Sequence, residues 1–302
     1  MRTRIQGFSL VEILVALAVM MLLLALMMQM FNGASQLTAR GHKQLDADAE
    51  ARAVLDRIQT DLGLALRHPN LDAFVKTQAE PMPGNDRMAF FSEVPGVAPV
   101  GLSSGPVSLV GLRMNADPAA PQYMKFERLS KGLPWNGSGS TDRPLVFGRD
   151  RIAGTWPMAV SATLADPTFE TFAPQVFRFE YYYILKAVSA RVPKAGDTPW
   201  DATLVDTASP TGFRDRVAGW RDVAAIHVAI AILDPRSGVR ASSADLRRFA
   251  DAMPDHAPGF ADAELERRWN QVVTNPPSGS PPGVASAIRV YSRTIPLAPA
   301  FR

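Results

Sequence analysis

A run with no charged or strongly polar side chain extends from Ile13 to Met28, and between Phe8 and Phe31 the only charge is Glu12. As a helix the longer stretch reaches about 36 Å, enough for a hydrocarbon core of roughly 30 Å. Leu, Val, Ala and Met occupy all its sides, which argues against a core helix with one polar face. A cleaved secretory signal competes with a membrane span. Arg2 and Arg4 would be its basic region and Ala16-Leu17-Ala18 its cut site, but only Leu10–Val15, interrupted by Glu12, would remain as its apolar part.

Past Phe31 the pattern turns polar and then amphipathic. Leu55, Ile58, Leu62 and Ala65 or Leu66 recur at spacings of three and four, with Asp56, Arg57, Gln59 and Asp61 between them. The spacing predicts one long helix from about Ser9 to Arg67, loosened at Asn32-Gly33 and stopped before Pro69, which disfavours helical geometry in His68.

Strand patterns follow at 87–94, 107–115, 122–130 and 144–148, separated by Pro-, Gly- and Asn-rich turns. In 175–187, alternation puts Phe177, Phe179, Tyr181, Tyr183 and Leu185 on the core face, with Val176, Arg178, Glu180 and Tyr182 opposite. The apolar run 222–233 reads as a central strand. Residues 242–253 and 262–273 read as helices, the second with Asp262 placed to cap. The last run, 285–298, fits either a short helix leading into a strand or a single strand. Together these predict an α+β chain, a long helix beside a mainly antiparallel sheet, with a helical and loop insertion at 235–283.

Composition adds little. Net charge is +3, of which Arg2 and Arg4 contribute two, so the remainder is near neutral and gives little support for a nucleic-acid partner. The chain has no Cys, which excludes a disulfide framework, a thiol nucleophile and Cys-ligated metal.

The stretch "QGFSLVE", behind a short basic leader and ahead of the apolar run, resembles the signal of type IV prepilins and type II secretion pseudopilins. The resemblance implies cleavage by a prepilin peptidase between Gly7 and Phe8, N-methylation of Phe8, and an assembly role for Glu12. An acid in a lipid-embedded helix is retained where it has a partner. The resemblance supplies one, the Phe8 amine of a neighbouring subunit, and that pairing would set the stagger between packed helices. It also implies a pilin-like fold: leader 1–7, membrane half-helix 8–31, amphipathic half-helix 32–67 and globular domain 68–302.

Within that group, "FRFEYYYIL", the segment holding Trp200 and Trp220, and "VAAIHVAIAILD" resemble J-type minor pseudopilins. "MAFFSEV", "VSLVGLRM", "FERLSKGLPW" and "IRVYSRTIPL" bring the chain nearer the Verru_Chthon cassette protein C family. The implied protein is a single-pass subunit of the bacterial inner membrane with a cytoplasmic N-terminus and a periplasmic or filament-borne domain. Its implied partners are the peptidase, other pilin-like subunits and membrane lipid. A filament-tip adhesin or substrate-binding module using 235–283 is one alternative, and a DNA-binding minor pilin for uptake is another.

Neither catalysis nor a cofactor is expected. His42, His68, His227 and His256 share no ligand spacing, and His227 falls in an apolar strand as a hydrogen-bonded residue. Asp46–Glu50 lacks the glycine and spacing of a calcium loop and reads as a solvated helix face. "GSGS" at 137–140 lacks the Lys of a phosphate loop. Arg247-Arg248 and Arg267-Arg268 read as surface ion pairs with Asp245, Asp251, Glu264 and Glu266. Tyr181–Tyr183 read as core packing with one exposed ring.

Overall fold

The computed structural model describes residues 10–67, 73–76, 82–97, 104–134, 159, 161–163, 168–185, 223–234, 241–257, 260–261, 263–281 and 283–297; at 33–46, 104–105, 133–134 and 185 only the backbone is described. The chain forms two units, Met1–Asp46 and Ala47–Arg302, the boundary falling within the first helix.

That helix, α1, spans Leu10–Gly63 and passes Asn32-Gly33 without a break. It ends short of the predicted Arg67. Ala65 bridges Ser92 and the Leu66 N–H donates to Phe91 O at 2.8 Å, so the backbone leaves the helix to pair with a strand before Pro69 is reached.

Among the described residues two antiparallel sheets stand where a single one is expected. Strands β1 (Arg87–Ser92), β2 (Ser104–Met114), β3 (Phe126–Pro134) and β4 (Phe169–Ala173) form the first, in that order. Strands β5 (Val176–Leu185), β6 (Val223–Leu233) and β7 (Ile288–Pro296) form the second, with β6 central as its continuous apolar run predicts. Strand β4 has no counterpart among the predicted strands. The segment predicted as a strand from 122 begins only at Phe126, because 121–124 form turns and Met124 takes φ +60°. The predicted strand at 144–148, the GSGS segment and the Trp200 and Trp220 segment lie outside the described residues.

Asn85 and Asp86 join the sheets. The Asp86 N–H donates to Phe179 O at 3.0 Å, while Asn85 Oδ1 accepts the Phe179 N–H at 2.8 Å and Asp86 Oδ2 the Tyr181 N–H at 2.9 Å. These bonds satisfy the outer edge of β5 at Phe179 and Tyr181.

Ala51, Val54, Leu55, Ile58 and Leu62 of α1 pack in one buried cluster with residues of both sheets, including Phe90, Phe126, Phe179 and Ile226. The opposite face of the second sheet is buried too, under α2 (Ser243–Ala252), α3 (Glu264–Thr274) and α4 (Val284–Ala287), where Phe249, Leu265 and Trp269 meet Phe177, Tyr182 and Ala229. With both faces covered, all three tyrosines are buried, and the exposed ring expected among them does not occur. The alternation along β5 also breaks. A register shift between Val176 and Arg178 puts Val176 with Phe179, Tyr181 and Tyr183, and turns Phe177 to the other face beside Tyr182.

Helix α2 starts at a capping box, in which Ser242 and Asp245 exchange hydrogen bonds. At α3 the cap position is Ala263 in a left-handed conformation, with no side-chain cap; Asp262 lies outside the described residues. The C-terminal ambiguity resolves as a short helix, α4, running into β7.

Candidate functional site

Among the described residues, the apolar part of α1 from Leu10 to Asn32 is long and apolar enough to cross a membrane, and its large side chains, from Leu10 to Phe31, are exposed. Glu12 lies in the first turn, where the helix dipole favours an acid. Arg2, Arg4, Gly7 and Phe8 lie outside the described residues.

From Ala47 to Gly63, α1 is held to both sheets by polar contacts at its margins. Asp61, expected between the apolar positions, is buried and accepts Arg128 Nε at 2.6 Å and Nη2 at 2.8 Å from β3. Arg293 of β7 pairs with Asp56 and donates to Gln59 at 3.1 Å. Asp48 accepts the Tyr291 hydroxyl at 2.5 Å and Glu50 the Gln175 N–H at 3.3 Å, so this part of Asp46–Glu50 contacts the sheet region and is not a solvated face. Burial, aided by the bond to Asp48, raises the Tyr291 pKa; burial also raises Glu50, against the opposing Gln175 bond.

A denser group lies where four segments converge. Lys76 Nζ is 2.5 Å from Asp86 Oδ2 and 2.5 Å from Glu180 Oε1. Arg178 Nη2 meets Glu180 Oε2 at 3.2 Å and Asp255 Oδ1 at 2.6 Å, and Asp255 also accepts the Gly84 N–H at 3.0 Å. The aromatic run sets this up. Tyr181 Oη accepts the Lys76 N–H at 2.7 Å, and the Tyr183 hydroxyl donates to Lys76 O at 2.8 Å. Burial raises Asp86 well above the usual carboxylate range, with the charge of Glu180 adding to it. Burial raises Glu180 as well, although Lys76 and Arg178 oppose it. Burial works against the Lys76 charge, but Asp86 and Glu180 outweigh it and raise its pKa.

His227 and His256 come together although their sequence spacing says nothing. Their rings pack on Tyr182 at centroid distances of 4.7 and 4.0 Å. His227 bonds Thr294 Oγ1 at 2.9 Å and Glu266 Oε1 at 2.6 Å, which bears out a hydrogen-bonded strand residue. Burial and the charge of Lys76 lower the His256 pKa to about 4. Glu266 falls to about 2, since bonds from His227 and Ser292 overcome the opposing effect of burial. Glu266 is therefore engaged with β6, while the exposed arginines pair as Arg247–Asp251, Arg248–Asp245, Arg267–Glu264 and Arg268–Glu264. Among the described residues no three His, Asp or Glu side chains form a metal-binding group.

Residues 2–28 match the prokaryotic N-terminal methylation motif. The chain is prepilin-like at its N-terminus. The matched span takes in Gly7, Phe8, Glu12 and most of the apolar segment of this prepilin-like chain. Among solved structures, a type IV-like pilin from Thermus thermophilus aligns over 83% of this chain and 93% of its own, at 14% identity and a TM-score of 0.30. No curated protein matches the chain in sequence.

Proposed function

We propose that this prepilin-like chain is a membrane-anchored structural subunit of a type IV pilus-like or type II secretion-like assembly, in the role of a minor pseudopilin. The observation that carries the reading is the methylation motif over residues 2–28, followed by an exposed apolar segment in which Glu12 sits in the first helical turn. A peptidase cuts between Gly7 and Phe8, and the Phe8 amine becomes N-methylated. Glu12 pairs with that amine on a neighbouring subunit, because a lone charge among apolar helices costs about 2.5–3.5 kcal/mol at mid-bilayer. The leader stays cytoplasmic and the globular unit lies on the far side of the inner membrane.

The bulk of the globular unit favours a tip or initiating position, since a filament end accommodates a large domain more readily than a packed repeat does. Mass spectrometry of the mature N-terminus tests the processing step. A methylated Phe8 is expected; an intact Met1 or a cut near Ala18 overturns the reading.

A further inference from the structure

We propose that Lys76 and Asp86 become joined by a side-chain amide bond, formed within the folded chain with Glu180 as the proton-transfer group. Lys76 Nζ lies 2.5 Å from Asp86 Oδ2 and 2.5 Å from Glu180 Oε1, with both acids fully buried and the lysine nearly so. Nucleophile, electrophile and acid–base group thus sit within hydrogen-bond reach of one another in a site closed to bulk water. The Lys76 Nζ also faces the Tyr181 ring, 5.0 Å from its centroid.

Two details separate this arrangement from an ordinary buried ion pair. The oxygens of Asp86 are unequal: Oδ2 accepts the Tyr181 N–H at 2.9 Å, whereas Oδ1 is buried with no hydrogen-bond partner among the described residues. The lysine also has a second acid, Glu180, which is itself oriented by Arg178 Nη2 at 3.2 Å and by the His256 N–H at 3.1 Å. A simple pair needs neither a bare oxygen nor a second positioned carboxylate.

The step balances without a redox partner. Glu180 takes a proton from the Lys76 ammonium, which frees the nitrogen lone pair to attack Cγ of Asp86. Negative charge builds on Oδ2, where the Tyr181 N–H already points. The Cγ–Oδ1 bond then breaks with its electron pair going to oxygen. Of the three ammonium protons, one stays on the amide and two leave with Oδ1 as water, the relayed ones returning through Glu180. A cavity of about 270 Å³ lined by Gly84, Asn85, Asp86 and Arg87 adjoins the site and receives the water. Burial raises Asp86, which favours a neutral carboxyl protonated from Lys76 through Glu180, and raises Glu180, which makes its carboxylate the stronger base. Condensation also removes two buried charges whose desolvation is costly.

Tryptic digestion of the full chain, purified from membranes in detergent and then denatured, provides the test. The linked protein resists cleavage after Lys76 and releases residues 68–87 as one peptide, lighter than its linear mass by one water. Separate peptides 68–76 and 77–87 at their linear masses overturn the proposal. So does loss of water with cleavage after Lys76 intact, which marks a cyclised aspartate. Asp86→Asn is expected to link as well, losing one ammonia instead of one water, and Glu180→Gln to stay linear. Because Glu180→Gln can fail by misfolding, the Asp86→Asn mass decides: an Asp86→Asn chain cleaved normally after Lys76 counts against the proposal.

Discussion

The buried carboxylate of Asp61 on α1 receives both Nε and Nη2 of Arg128 on β3, at 2.6 and 2.8 Å, with Arg57 Nε 3.3 Å away one helical turn earlier. This bidentate pair ties the last turns of the helix to the first sheet. Removing Asp61 strips the largely buried Arg128 of this carboxylate, at a cost of up to about 3–5 kcal/mol. Asp61→Ala is therefore expected to lower the thermal midpoint strongly. The double change Asp61→Leu, Arg128→Met should recover much of the loss, read by circular dichroism of the detergent-purified chain.

Acid should remove the contributions of His256 and Glu266 in two overlapping stages, against the opposing effect of Asp86 and Glu180, whose raised pKa values favour the folded state as pH falls. The His256 pKa lies below its ordinary value, so the unfolded chain binds the extra proton first, and stability falls as pH drops from about 6.5 to about 4. Glu266 is depressed, so its contribution is complete above its unfolded pKa and is lost as pH falls towards about 2. His256→Phe should flatten the first stage and leave the second, as measured by chemical denaturation across this pH range.

Gly96 tolerates no side chain. A Cβ there would collide with the Gly132 N and stand 2.7 Å from Ser108 Cβ, so backbone has to move. Gly96→Ala is expected to cost about 1–3 kcal/mol, the usual range for overpacking. Gly63→Ala, which meets none of the described residues within 4 Å, is the matched control.

Trp269 anchors α3 from a fully buried position, its indole donating to Pro254 O at 2.8 Å and its ring 5.2 Å from the Arg178 guanidinium. Trp269→Ala should cost about 3–5 kcal/mol. Hydrogen exchange is expected to rise first in α2 and α3, while amides of β6 stay protected.

Glu12→Ala should leave insertion intact and processing largely so, but reduce co-assembly with other pilin-like subunits. Gly7→Ala should impair the cut itself. Fractionation with N-terminal mass spectrometry separates the two outcomes, and unimpaired assembly of the Glu12→Ala chain would count against the pairing role.

The long helix and the central strand β6 were legible because each rests on a local pattern, an apolar period or a continuous apolar run, whereas the cap that Ser242 and Asp245 form at α2 was not read. Strand β4 escaped because Phe169–Ala173 is short and partly exposed, with no strong alternation. The Lys76 cluster left no signal at all. Lys76 and Asp86 stand in no pattern that singles them out, and Glu180 reads only as a residue opposite the core face of its strand, since nothing in local spacing records that separate segments converge.

The sequence by itself determined the apolar segment with its single acid, the prepilin-like signal around it, and the periodicities of the elements, because these depend on side chains near one another along the chain. The tertiary structure alone decided that the strands divide into two sheets, that the register shift in β5 sends Phe177 to the opposite face, and that Asp61, Asp86 and Glu180 are buried. Burial is a property of what packs over a residue from elsewhere. Whether a charge meets water or a partner is therefore settled only when the distant segments meet.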